Sequence, residues 1–124
     1  MAITHPESIR NQLANLVVDL IDGGAGAGKL EFRTSGEVAA ATVTFQDPAF
    51  GAASGGTALA NTPMVDDTNA TGGTVDRFAI LDSNNTVILQ GAVATSGSDI
   101  NLSSTTIGAG DTVSLTSLSY SAPL

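Results

Sequence analysis

"VDRFAILDSNNTVILQGAVA", Val75 to Ala94, contains two apolar runs, Phe78 to Leu81 and Val87 to Leu89, on either side of Asp82-Ser83-Asn84-Asn85. Runs this short, bounded by turn residues, suit strands better than helices, and the short polar side chains between them tolerate the left-handed geometry of a tight turn. The stretch therefore predicts an antiparallel hairpin covered on both faces.

The flanking segments extend the same reading. Upstream, Leu30 and Phe32 alternate with Glu31 and Arg33, and Val43 and Phe45 alternate with Thr42 and Thr44. "TSGEV", Thr34 to Val38, lies between them as the turn of a second hairpin. "DPAFGAASGG", Asp47 to Gly56, reads as a loop with Phe50 plugging one end of the core. Ala58 to Met64 reads as a strand that Pro63 confines to a sheet edge, followed by the polar loop Asp66 to Gly73. Downstream, Ile100 and Leu102 suit a short strand, and Gly108 to Asp111 makes a turn. Val113 and Leu115 share one parity while Leu118 and Tyr120 share the other, so a β-bulge is expected near Thr116-Ser117. The fold class expected is mainly β: an antiparallel β-sandwich or barrel of about six to eight strands, with one N-terminal α-helix. Residues 1–28 form the arm, helix and glycine-rich turn, and residues 29–124 form the β domain.

The helix is read from Ile9, Leu13, Leu16, Val17, Leu20 and Ile21, which recur at spacings of three and four and draw one apolar stripe. Asn11, Gln12, Asn15 and Asp19 fall elsewhere on the wheel. Thr4 and Glu7 have capping-box spacing, and Pro6 suits the first turn. Two destinations fit the stripe: the sheet of its own domain, or a partner or second copy of the chain. These six residues are the candidate partner contacts.

"DGGAGAGKLEF", Asp22 to Phe32, imitates a phosphate-binding loop, with Gly23 and the Gly28-Lys29 pair at matching spacing. The order of elements is the reverse of what that chemistry needs. The glycines follow a helix and precede a strand, so the nearest helix end carries partial negative charge, and Leu30 stands where a magnesium-binding hydroxyl belongs. The glycines read instead as a helix stop in left-handed conformation.

Composition restricts function further. The 124 residues suffice for one domain, and with no cysteine, disulfides and thiolate chemistry are excluded. A net charge of −8, from four Lys plus Arg against twelve Asp plus Glu, repels nucleic-acid phosphates, so no nucleic-acid partner is expected. No apolar run is long enough to span a bilayer, and no signal peptide is read, so the expectation is no membrane partner and a chain made in the cytoplasm. Ala, Gly, Ser and Thr supply about half of the residues and aromatics only 4 %, which leaves few rigid anchors for a small-molecule substrate.

Catalytic groups are correspondingly sparse. His5 is the sole histidine and has no orienting carboxylate in sequence. Glu31 faces solvent by alternation and Glu37 lies in a turn, so neither has the setting of a glycosidase acid. Asp66, Asp67, Asp76, Asp82, Asp99 and Asp111 are hard-cation ligand types, but they fall in turns that Asp and Asn form for conformational reasons, and "DSNN" lacks the closing Glu of an EF-hand. No catalytic, cofactor-binding or metal residues are assigned, and an enzyme is not expected.

"NLVVDLIDGGAGAGKLEFRT", "VTFQDPAFGAASGGTALAN" and "AILDSNNTVILQGAVATSGSDINLSSTTIGAGDTVSLTSLSYS" together resemble small virion proteins of tailed bacteriophages and prophages. The likeness spans most of the chain. It implies a structural protein that decorates and cements the capsid exterior through contacts with the major capsid protein and with copies of itself, as trimers or dimers. A phage tail or baseplate subunit is the alternative. A carbohydrate-binding adhesion module is the third reading, set back by a chain with no Trp and one Tyr, Tyr120. The resemblance brings no set of functional residues with it.

Overall fold

A computed structural model describes residues 3–122. One helix, α1 (Glu7–Ile21), precedes nine strands among the described residues: β1 (Lys29–Arg33), β2 (Ala39–Thr44), β3 (Thr57–Leu59), β4 (Gly73–Thr74), β5 (Arg77–Leu81), β6 (Val87–Ala94), β7 (Ile100–Asn101), β8 (Thr106–Ile107) and β9 (Ser119–Ser121). Five of them form one sheet in the order β2-β1-β5-β6-β7, and β3-β9 and β4-β8 are separate two-stranded ribbons. The chain is thus mainly strands with one helix, and its principal sheet is mixed and curled into a half-barrel.

Both predicted hairpins form. β1 pairs antiparallel with β2 across the turn at Thr34–Val38, where Glu37 takes a positive φ of 64°. β5 pairs antiparallel with β6. Asp82 Oδ1 accepts hydrogen bonds from the N–H groups of Asn84 and Thr86, and Asn85 adopts the left-handed conformation with φ 66°. Register places Leu30, Ile80 and Leu89 in one row and Phe32, Phe78 and Gly91 in the next. These rows face a core that also contains Val43, Phe45, Phe50 and Val93. Phe50 does plug this core, its ring tilted against Phe45 at a centroid distance of 5.7 Å. Gly91 is required by the packing, because the Phe78 ring lies where a Cβ would stand.

Several expectations are corrected. The sheet is not wholly antiparallel, since β6 and β7 pair in parallel at Val93–Ile100 and Ala94–Asn101. Apolar patterning marks a strand but not its direction. Here β7 runs alongside β6 in the same direction, with Asp99 accepting the Ala92 N–H at 3.0 Å and the Leu102 N–H bonding to the Ala94 carbonyl. β5 is covered on both faces, but β6 is not, and Val87 is exposed. Residues 112–118 form no strand: only Val113 bridges, to Asp67, so the change of parity marks irregular chain and not a bulge within one strand.

The helix ends also differ from expectation. Pro6 is the N-cap, with no side-chain cap, and Glu7 serves the loop at Gly55 instead of closing a capping box with Thr4. At the other end the cap is Asp22, whose N–H bonds to the Asp19 carbonyl while the Gly23 N–H bonds to that of Leu20. Gly23, Gly24, Gly26 and Gly28 are not among the glycines with positive φ. Gly24 and Gly28 are needed for close approach. A Cβ on Gly28 would lie 2.8 Å from the Ile21 carbonyl oxygen and 2.9 Å from that of Leu81, and one on Gly24 would overlap the Ser83 side chain. The turn thus brings the helix terminus against the β5–β6 hairpin.

Candidate functional site

Helix α1 lies against β3, β6 and β9, and two of its side chains, Val18 and Ile21, enter the same apolar cluster as the sheet. The face that does so is not the stripe read from sequence. The fully buried positions are Ala14, Val18 and Ile21, of which only Ile21 belongs to the predicted six. Leu13 and Val17 are half-buried, whereas Ile9, Leu16 and Leu20 are 39 %, 60 % and 49 % exposed. At about 100° per residue, Ile9, Leu13, Leu16 and Leu20 form one stripe that points about 140° away from the direction of Ala14, Val18 and Ile21. Ile21 anchors the helix to its own domain, and the larger aliphatics face out.

Polar residues hold the inward side. Glu7, Asn11 and Asn15, at spacings of four, lie along one line of the helix, and Asp22 continues it beyond the end. Each accepts a backbone N–H from the loop before β3: Gly55 to Glu7 Oε1 at 3.2 Å, Gly56 to Asn11 Oδ1 at 2.7 Å, Ala53 to Asn15 Oδ1 at 2.8 Å and Ala49 to Asp22 Oδ1 at 2.9 Å. A loop has no ladder to satisfy its N–H groups, and side-chain oxygens on a rigid helix supply the missing acceptors. Sequence reasoning placed Asn11 and Asn15 off the apolar stripe and gave them no partner. The available signal was the repeat of acceptor side chains at seven, eleven and fifteen. Burial pushes the Asp22 carboxyl above the usual carboxylate range, against the Ala49 hydrogen bond, and Asp47 and Asp19 add to the rise. Arg10 lies over the Gly56 backbone, where a Cβ would meet its guanidinium, and its buried Nε has no hydrogen-bond partner among the described residues.

A second polar cluster ties the first hairpin to β5. Arg33 bonds Glu31 at 2.8 Å and Glu37 at 3.3 Å, and Arg77 bonds Glu37 at 2.6 Å and Asp76 at 2.8 Å. Arg77 holds the carboxyls of Glu37 and Asp76 below their usual range, with Arg33 assisting at Glu37. The two guanidiniums are raised in turn, Arg33 chiefly by Glu31 and Arg77 chiefly by Asp76. Two of the four cationic side chains are thereby used inside the domain.

The remaining candidates are dispersed. His5 is exposed before the helix. Asp67 accepts the N–H groups of Thr42 and Asn69, Asp82 closes its own turn, Asp99 holds Ala92, and Asp111 accepts the Gly108 N–H. Among the described residues no three His, Asp or Glu side chains are grouped to hold a metal ion. Among them, too, no helix is long and apolar enough to cross a membrane.

Comparison with protein-family models, with curated proteins and with solved structures returned no match. The functional reading therefore rests on the outward stripe, on how the helix is held, and on the resemblance carried by the sequence.

Proposed function

We propose that this chain is a structural, non-catalytic virion protein that decorates and cements the exterior of a tailed-phage capsid by protein-protein contacts. The observation that carries the reading is the outward aliphatic stripe of Ile9, Leu16 and Leu20, with the half-buried Leu13 along it, on a helix whose opposite side is fastened by four backbone hydrogen bonds. Isolated exposed aliphatics are ordinary, but a continuous stripe at helical spacing on a rigid element suits burial against another protein. Cementing needs such a surface on every copy, because each added contact stabilises the assembled shell relative to its parts. The partners on this reading are the major capsid protein and copies of the chain, around a symmetry axis as trimers or dimers. The half-barrel is then read as the small sandwich or barrel of the decoration type, with its acidic surface turned away from the packaged DNA.

The test is reconstitution of shells lacking the protein with the wild-type chain and with Leu16→Glu. Wild type restores resistance to heat and osmotic shock and appears as density on the shell exterior, while the variant folds but does not bind. Shells equally resistant without the protein, or density in the tail, would overturn the reading.

A further inference from the structure

β6 and β9 present strand edges to each other without pairing. On β6, Val93 N–H donates to the Asp76 carbonyl on the β5 side, so the alternation of an antiparallel ladder turns Leu89 and Gly91 toward β5 and Gln90 and Ala92 away from it. Ala92 has Asp99 as its acceptor. On β9, Ala60 N–H bonds Leu118 and Ala122 N–H bonds Gly56, which turns the backbone groups of Ser119 and Ser121 away from β3. Gln90, Ser119 and Ser121 line one crevice of about 260 Å³. Its apolar wall includes Val18, Ile21, Phe78, Ile80, Leu89 and Ile100. The half-barrel is open along this seam, with hydrogen-bonding edges on both sides and an apolar wall, which is the chemistry that receives an added strand.

We infer that the seam is filled by residues 3–6 of a second copy of this chain. Ile3 is 86 % exposed and residues 3–6 belong to no helix or strand, with Pro6 extended at φ −63° and ψ 159°. The segment Ile-Thr-His-Pro carries no acid, on a chain with net charge −8. It does not reach its own seam. The crevice lies against Val18 and Ile21, eleven and fourteen residues along the helix from Glu7, so about 16–21 Å away at 1.5 Å per residue. Four extended residues span at most about 14 Å before any turn back along the helix. A second copy meets no such limit. An apolar cavity of about 150 Å³ already takes up a benzene-sized molecule, so this crevice accommodates the Ile3 side chain and adjoining backbone.

The chain lacks cysteine, so disulfide trapping is free of background. The Ile3→Cys and Ser119→Cys chains are mixed and oxidised, with Ser104→Cys in place of Ser119→Cys as the control. A covalent dimer is expected from the first mixture and not from the control. In sedimentation equilibrium the wild type associates, and Ile3→Asp weakens association by about tenfold or more while its circular dichroism is unchanged, as loss of one buried aliphatic side chain requires. A monomeric wild type, association indifferent to Ile3→Asp, or equal trapping with the control would overturn the inference. So would an Ile3→Cys/Ser119→Cys double variant that oxidises within one chain, because the arm would then fill its own seam. None of these outcomes bears on shell binding, which is read on particles.

Discussion

Replacing Ile21, Val18 and Leu16 one at a time by Ala separates the two sides of the helix. Ile21 is fully buried and touches the Gly28 approach, so truncation removes three carbons and enlarges an existing crevice. At about 0.8 kcal/mol per buried methylene plus a cavity contribution, the loss is about 3–4 kcal/mol. Val18, 2 % exposed, loses two carbons, and the better helix propensity of Ala returns about 0.5 kcal/mol, leaving about 1–2 kcal/mol with the cavity contribution. Leu16 is 60 % exposed, so its truncation costs about 1 kcal/mol or less. For a chain of this size 1 kcal/mol moves Tm by about 3–6 °C, which puts the Ile21→Ala variant about 10–20 °C below wild type. Urea unfolding followed by circular dichroism gives the three values directly. The sequence stripe contains Ile21 and Leu16 as equals and omits Val18. A Leu16→Ala cost matching Ile21→Ala, or a neutral Val18→Ala, would refute the orientation of the helix and with it the exposed stripe.

Gly28→Ala is expected to cost about 1–3 kcal/mol, because two carbonyl oxygens lie within 3 Å of the new Cβ and backbone does not move aside cheaply; denaturant melts check it. Asn15→Ala leaves the Ala53 N–H without an acceptor, so hydrogen exchange should quicken across residues 49–56 while β5 stays protected, and unchanged exchange there would exclude the fastening role. Glu37 and Asp76 have depressed values when folded, so the stability they contribute is present above their ordinary values of 4.5 and 3.8 and is lost as pH falls below them. Arg77→Gln should flatten that acid-side slope, by a small and salt-sensitive amount since the pairs are exposed. Asp22 has the opposite sign: its raised value favours the protonated folded form, so stability from this group declines as pH rises through it. Asp22→Asn keeps an acceptor for Ala49 without a buried charge, and neutral or slightly increased stability at pH 7 is the expected melt.

The parts of the fold legible in sequence were those set by local alternation and turn chemistry. Phe78 to Leu81, "DSNN" and "TSGEV" specify their hairpins within a few residues, and the structure forms both. Periodicity likewise located the helix but not its orientation, because a hydrophobic stripe reports which residues avoid water and is silent on whether they do so in the same chain. Val18 and Ala14 were outcompeted by larger neighbours in that reading, although their modest size is what lets α1 lie close to the sheet. The parallel β6–β7 pairing is accompanied by Asp99 reaching back seven residues to Ala92, a side-chain bond that no alternation encodes.

The inversion of the helix follows from the composition. A chain with few aromatics and many Ala and Gly has little bulk to hold a loop such as residues 47–56 by packing, and the loop's own N–H groups would be left without acceptors beside the core. Asn11, Asn15 and Asp22 solve both problems at once, but they must then occupy the inward side of the helix, which displaces the large aliphatics to its outer side. Folding alone would be served as well by polar residues there, since Leu16 and Leu20 add little to the core from where they stand. Their presence is explained if the outer side meets a second surface. On that argument Leu16→Glu is the informative substitution, because it leaves the four fastening bonds in place and removes only what the helix offers to a partner.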